Sequence, residues 1–141
     1  MVWQYTKIVK DHFFHPRNLV LDLSDVADFN AEGEVGSAVC GDQMKIFLKI
    51  KNNKIIDCKW QTFGCASAIA STSMLSEMIM KSVPLSIEEA LKISAMDIVK
   101  KLGGLPPQKI HCSVLGDQAL RKAICNWKKK LATPKVGTMK K

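Results

Sequence analysis

Residues Met44–Met80 read MKIFLKIKNNKIIDCKWQTFGCASAIASTSMLSEMIM, and their periodicity changes once. Up to Phe63 apolar and polar residues alternate, with KIFLKI at 45–50 and KIIDCKWQTF at 54–63 flanking Asn52 and Asn53. Two alternating runs around a pair of turn-forming residues predict an antiparallel hairpin. Beyond Cys65 the pattern becomes helical, with Leu75, Met78 and Ile79 at helical spacing. Cys65 therefore falls at a strand-to-helix junction, where the first N–H groups of the helix lack internal partners. Such a place favours negative charge and draws a cysteine towards thiolate.

Working outward, VGSAVCGD (35–42) reads as a strand running into a turn at Gly41. It adds a third short strand, so a meander is expected. Residues 17–34 show no clear period and predict a loop or mobile lead-in. Before them, Tyr5, Ile8, Val9 and Phe13 lie at helical spacing, and Pro16 stops that helix. On the other side of the hairpin, Ser86 with Glu89 forms a capping box for IEEALKI. Ser94 can cap MDIVKKL, which Gly103 and Gly104 end. LPPQK (105–109) predicts an extended, proline-stiffened link. A long helix is expected from Cys112 to about Leu131, with Leu115, Leu120, Ala123, Ile124 and Trp127 on or near one face. Strands first and helices after predict an α+β class: a small three-stranded antiparallel sheet with helices packed on one face. The expected organisation is one domain over 1–131, in which 1–33 can be a mobile lead-in, and a basic, disordered tail over 132–141.

The chain has 141 residues, 47% of them hydrophobic, and a mean hydropathy of +0.01. That describes a globular domain able to fold around its own core. No apolar run approaches the length of a membrane span, and the first residues carry no secretory pattern. Net charge is +8. Much of the excess sits in NWKKKLATPKVGTMKK, without interleaved basic and aromatic residues elsewhere, so no nucleic-acid partner is expected. Five widely spaced cysteines, an odd count, argue against a disulfide framework. Reduced thiols in a cytosol-like compartment, and hence a cytoplasmic location, are the expectation.

Three of the cysteines share a setting. Cys40 stands where a strand ends, and Cys65 and Cys112 stand at helix starts; all three can lie at one edge of a sheet and escape full burial. Asp42 follows Cys40 by two positions, and His111 precedes Cys112. Three thiols, a carboxylate and an imidazole suit zinc, copper(I) or iron–sulfur. The spacing alone is a weak signal, since the chain has no CxxC pair, and unrelated buried cysteines remain an almost equal alternative at this point. Cys58, inside a strand, and Cys125, inside the last helix, read as packing residues. His12 and His15 read as surface or packing residues. Met74, Met78 and Met80 read as a core stripe, and Ser67, Ser71 and Ser73 as a small helix face that lets the sheet approach.

The segments YTKIVKDHFFHPRN, GEVGSAVCGDQMKIFLKI, WQTFGCASAIASTSMLSEM and LPPQKIHCSVLGDQALRKAI together resemble iron–sulfur cluster assembly scaffolds of the IscU/NifU type. The similarity runs in order from about Tyr5 to Trp127. The GEVGS, QTFG and HCSV details resemble the N-terminal scaffold domain of NifU in particular. The resemblance implies that Cys40, Asp42, Cys65, His111 and Cys112 form the assembly site. It implies a transient 2Fe–2S cluster, made from iron and from sulfur delivered by a cysteine desulfurase, with zinc able to take the same site. It also implies Cys112 as persulfide acceptor and Asp42 as the residue that keeps the cluster labile. The implied partners are the desulfurase, iron and electron donors, recipient apo-proteins and, across a shared cluster, a second copy of the chain. The protein would be a carrier, not an enzyme.

The sequence departs from the pattern in places. Gln108 stands where IscU has valine, inside the segment that docks a DnaK-type chaperone, which puts that partner in doubt. LVLD replaces the usual glycine-containing turn after HPRN. No CxxC motif follows Trp127, so the chain reads as a stand-alone scaffold or a piece of a longer one. Two competing readings are a zinc-dependent sulfurtransferase of the SufU type and a structural zinc module. His111 argues against the first, because SufU proteins usually lack that histidine.

Overall fold

The computed structural model describes residues 5–37 and 42–132, apart from the side chains of Ser37, Asp42, Gln108, His111, Leu131 and Ala132. The hairpin forms as its alternation demands. Strand β2 (Asp42–Lys51) pairs antiparallel with β3 (Lys54–Phe63). Asn52 and Asn53 join them with φ of 55° and 62°, the left-handed pair that a two-residue type I′ turn needs. The register slips between Lys49 and Ile50, which leaves Ile56 as the extra residue on β3. Strand β1 (Ala31–Ser37) pairs with the other edge of β2, Ala31 facing Leu48 and Ser37 facing Asp42.

The sheet has four strands, not the three expected: Leu85–Ser86 forms β4 against Lys54 and Ile55. A two-residue strand is too short to show an alternation. Strand β1 also begins at Ala31, inside the stretch without a readable period.

The helices cover one sheet face. They are α1 (Lys7–Phe14), α2 (Ala66–Met80), α3 (Ile87–Ala90), α4 (Ala95–Lys101) and α5 (His111–Ala132). Helix α5 lies along β1 and α2 along β3. Between them and the sheet are packed Met44, Ile46, Leu48, Ile55, Cys58 and Trp60, all essentially inaccessible. Gly33 makes the α5 contact possible: a Cβ there would stand 2.3 Å from Ala123 N and 2.6 Å from Ala119 O. Ser94 and Asp97 cap α4 reciprocally, and Gly103 and Gly104, with φ of 80° and 107°, follow it. Helix α3 is a single turn held by Ser86, shorter than the IEEALKI pattern suggests. Pro107–Lys109 winds into a 3₁₀ turn where an extended link is expected.

Residues 17–30 are tied to the sheet despite their lack of period. Trp60 donates its backbone N–H to Asn18 O, accepts from Val20 N and donates its indole N–H to Arg17 O at 2.6 Å. Val20, Val26 and Phe29 then cover Phe47 on the sheet face away from the helices. Asn30 closes the crossing by bonding both the N–H and the carbonyl of Ile50.

Candidate cluster-assembly site

The strand register fixes one end of the sheet. Ser37 faces Asp42, and Gln43 faces Phe63, so the end of β1, the start of β2 and the exit of β3 lie together. From that end Gly64 leads into Cys65, which sits in extended conformation (φ −76°, ψ 173°) as the N-cap of α2 and makes no side-chain capping bond. The thiol therefore does not cap the backbone N–H groups of the helix. Cys112 is the second residue of α5.

The two sulfurs meet. Cys65 Sγ and Cys112 Sγ are 3.7 Å apart. Two thiolates about 2.3 Å from one tetrahedral ion would sit about 3.8 Å apart, so this spacing fits shared coordination without rearrangement. Ser67 Oγ completes a triangle, 3.2 Å from Cys65 Sγ and 3.6 Å from Cys112 Sγ. One turn further along α2, Ser71 Oγ lies 3.2 Å from Ser113 Oγ of α5. The helices thus meet through hydroxyls beside the thiols and through apolar side chains beyond them. The sequence pattern marks Ser67 and Ser71 only as part of a small helix face. The Cys-x-Ser spacing at a helix start is the signal that could have identified Ser67.

Burial corrects one expectation. Cys65 is half-buried, whereas Cys112 has 0% exposure. A helix start does not keep Cys112 at the surface, because α5 turns its first residues against α2. Of the other expected site residues, Cys40 lies outside the described residues. Asp42 opens β2 and His111 opens α5, but their side chains lie outside the description. Among the described residues no three metal-binding side chains gather.

The remaining candidates separate clearly. Cys58 is core: burial, with the neighbouring Asp57 charge, pushes its thiol up to about 12. Cys125, expected to pack, is exposed on α5. His12 is buried, its Nδ1 2.8 Å from Ser73 Oγ and its Nε2 3.8 Å from Glu77. Burial holds its imidazole below the ordinary value. A hollow of about 620 Å³ beside it is lined by Ile8, Met74, Met78 and Leu85 among others, with no cysteine in its wall. It is separate from the thiol pair. Among the described residues no helix is long and apolar enough to cross a membrane.

Comparison with known proteins agrees with this construction. Residues 4–134 match the family described as NifU-like N terminal domain. An iron-sulfur cluster assembly scaffold protein IscU 1 of Archaeoglobus fulgidus is 48% identical over 126 residues, covering 89% of this chain and 78% of the relative. The nitrogen fixation protein NifU of Trichormus azollae is 46% identical over 131 residues, covering 90% of this chain but 43% of that longer protein. In fold, a crystal structure provisionally described as a SUF-system cluster assembly scaffold from Fervidobacterium islandicum AW-1 superposes with a TM-score of 0.62 at 20% identity, covering 85% of this chain and 96% of that one. The match extends over nearly the whole sequence at close to half identity, and the chain belongs to the NifU-like N-terminal domain family.

Proposed function

We propose that this chain is a scaffold on which an iron–sulfur cluster is assembled and from which it is handed on, a carrier without turnover chemistry of its own. The observation that carries the reading is the 3.7 Å approach of Cys65 and Cys112 at two helix starts, beside the strand ends that bracket Cys40. The relatives named as cluster assembly scaffolds supply the class of cargo.

In this reading Cys40, Cys65 and Cys112 hold the cargo, a 2Fe–2S cluster, with Asp42 or His111 at the fourth position. Four thiolates make a durable cluster site. A hard carboxylate or an imidazole in place of one thiolate binds iron less firmly, which suits a cluster that must leave. Zinc fits the same donors.

Sulfur arrives on a cysteine desulfurase as a persulfide. The Cys112 thiolate attacks the terminal sulfur, a new sulfur–sulfur bond forms on Cys112, and the donor's sulfur–sulfur bond breaks with its electron pair left on the donor thiolate. Conversion of that sulfur to sulfide requires two electrons from a separate electron donor. Because Cys112 is buried, this step requires the first turn of α5 to part from α2. The contact of the Ser67 hydroxyl with Cys112 Sγ favours such parting, since water can replace it. Recipient apo-proteins then take the cluster.

Anaerobic reconstitution with iron, cysteine and a desulfurase tests the proposal. The scaffold reading expects absorption of the 2Fe–2S kind and transfer to an apo-ferredoxin. Tightly held zinc with stimulated desulfurase and no cluster would instead indicate a sulfurtransferase. Zinc with neither effect would indicate a structural module.

A further inference from the structure

We infer that Ser67 is a positioning residue whose hydroxyl donates to the thiolates of Cys65 and Cys112 and unequally divides one proton between them; this rests on the scaffold reading above. Ser67 has 0% exposure, and water does not reach its hydroxyl. Its Oγ lies 3.2 Å from Cys65 Sγ and 3.6 Å from Cys112 Sγ, both within sulfur hydrogen-bond range. A serine hydroxyl carries one donor hydrogen. While the cysteines are thiols, any of the three groups can donate. Once both sulfurs bind iron or zinc they are thiolates without hydrogens, and Ser67 becomes the donor within this triangle.

One hydrogen cannot serve two acceptors equally. The shorter contact gives Cys65 the larger share. Cys112 therefore gives up less of its charge density to this hydroxyl than Cys65 does, as a sulfur acceptor requires. Hydrogen bonds to ligand sulfur set both metal affinity and reduction potential. Ser67 thus favours retention on the Cys65 side and leaves the Cys112 side reactive.

The test compares Ser67→Ala with Ser71→Ala in the full chain. Alanine is the best helix former, and the contacts that Ser67→Ala removes are to weak sulfur acceptors, so α2 should persist. Ser71→Ala removes a hydroxyl from the same helix interface, 3.2 Å from Ser113 Oγ, and serves as the structural control. Zn²⁺ affinity is measured by chelator competition, together with the reduction potential of the reconstituted cluster and the helical circular dichroism. The expectation for Ser67→Ala is a roughly 10- to 100-fold loss of Zn²⁺ affinity and a lower potential, with helical signal retained. Ser71→Ala should leave affinity and potential at wild-type values. Equal effects in both variants, or none in Ser67→Ala, would overturn the inference. Failure of the wild type to form a cluster would instead sink the scaffold reading.

Discussion

Cys65 Sγ and Cys112 Sγ stand 3.7 Å apart across 47 positions of sequence. Neither helix brings its cysteine there alone. The N-cap of α2 is set by the exit of β3, and the first turn of α5 is set by the packing of that helix on β1 through Gly33. Formation of the thiol pair is therefore a consequence of the whole sheet–helix arrangement.

That dependence predicts the effect of Gly33→Ala. The added methyl would meet backbone atoms of Ala119 and Ala123, which cannot rotate away. Helix α5 must shift, at a cost of about 1–3 kcal/mol or more. Urea denaturation should show the loss, and Zn²⁺ affinity should fall with it because Cys112 moves with the helix. Unchanged stability would show that α5 does not pack on β1 at this point.

Asp42→Ala should slow cluster transfer and give a more persistent coloured holoprotein, because the hard ligand proposed to loosen the cluster is gone. Transfer to apo-ferredoxin, followed by circular dichroism, measures the rate. Loss of cluster binding altogether would contradict the proposed role of Asp42.

The Cys58 thiol ionises near 9.0 in its ordinary state and is pushed up to about 12 by burial and by Asp57. The unfolded chain therefore loses this proton first. The contribution of Cys58 to stability is complete below pH 9.0 and declines as pH rises from there towards about 12, by about 1.4 kcal/mol per pH unit for one proton. Cys58→Val, which has no proton to lose, should show a shallower alkaline decline in urea midpoint. In the native protein Cys125, which is exposed, should react with iodoacetamide well before Cys58.

His12 behaves in the opposite sense. Burial, with the Arg17 charge, lowers its folded value below the ordinary 6.5, while Glu77 and Asp11 oppose the shift. Its contribution is present above pH 6.5 and is lost as the unfolded chain takes up the proton below it. Between about pH 7.5 and about pH 5 the wild type should lose more stability than His12→Gln. Parallel pH profiles would contradict this.

These residues show what the sequence made legible. The β2–β3 hairpin is local: its alternation and its Asn52–Asn53 turn are written in adjacent residues, and so is the junction at Cys65. The tie between residues 17–20 and Trp60 is not, because it pairs backbone groups some forty positions apart with no side-chain period. Strand β4 is too short to carry a pattern. At the site, the helix-start placement of Cys65 and Cys112 follows from periodicity. The burial of Cys112 and the contact with Ser67 arise only when α2 meets α5. His12 is similar: its partner Ser73 comes from α2, so its burial has no local signature.

The central claim is that Cys65 and Cys112 ligate one metal ion. X-ray absorption on the zinc-loaded protein tests it by counting sulfur neighbours at about 2.3 Å. The account predicts that Cys65→Ser and Cys112→Ser each lose one sulfur from the wild-type shell and that the double variant loses two. A sulfur count unchanged by either single substitution would contradict it.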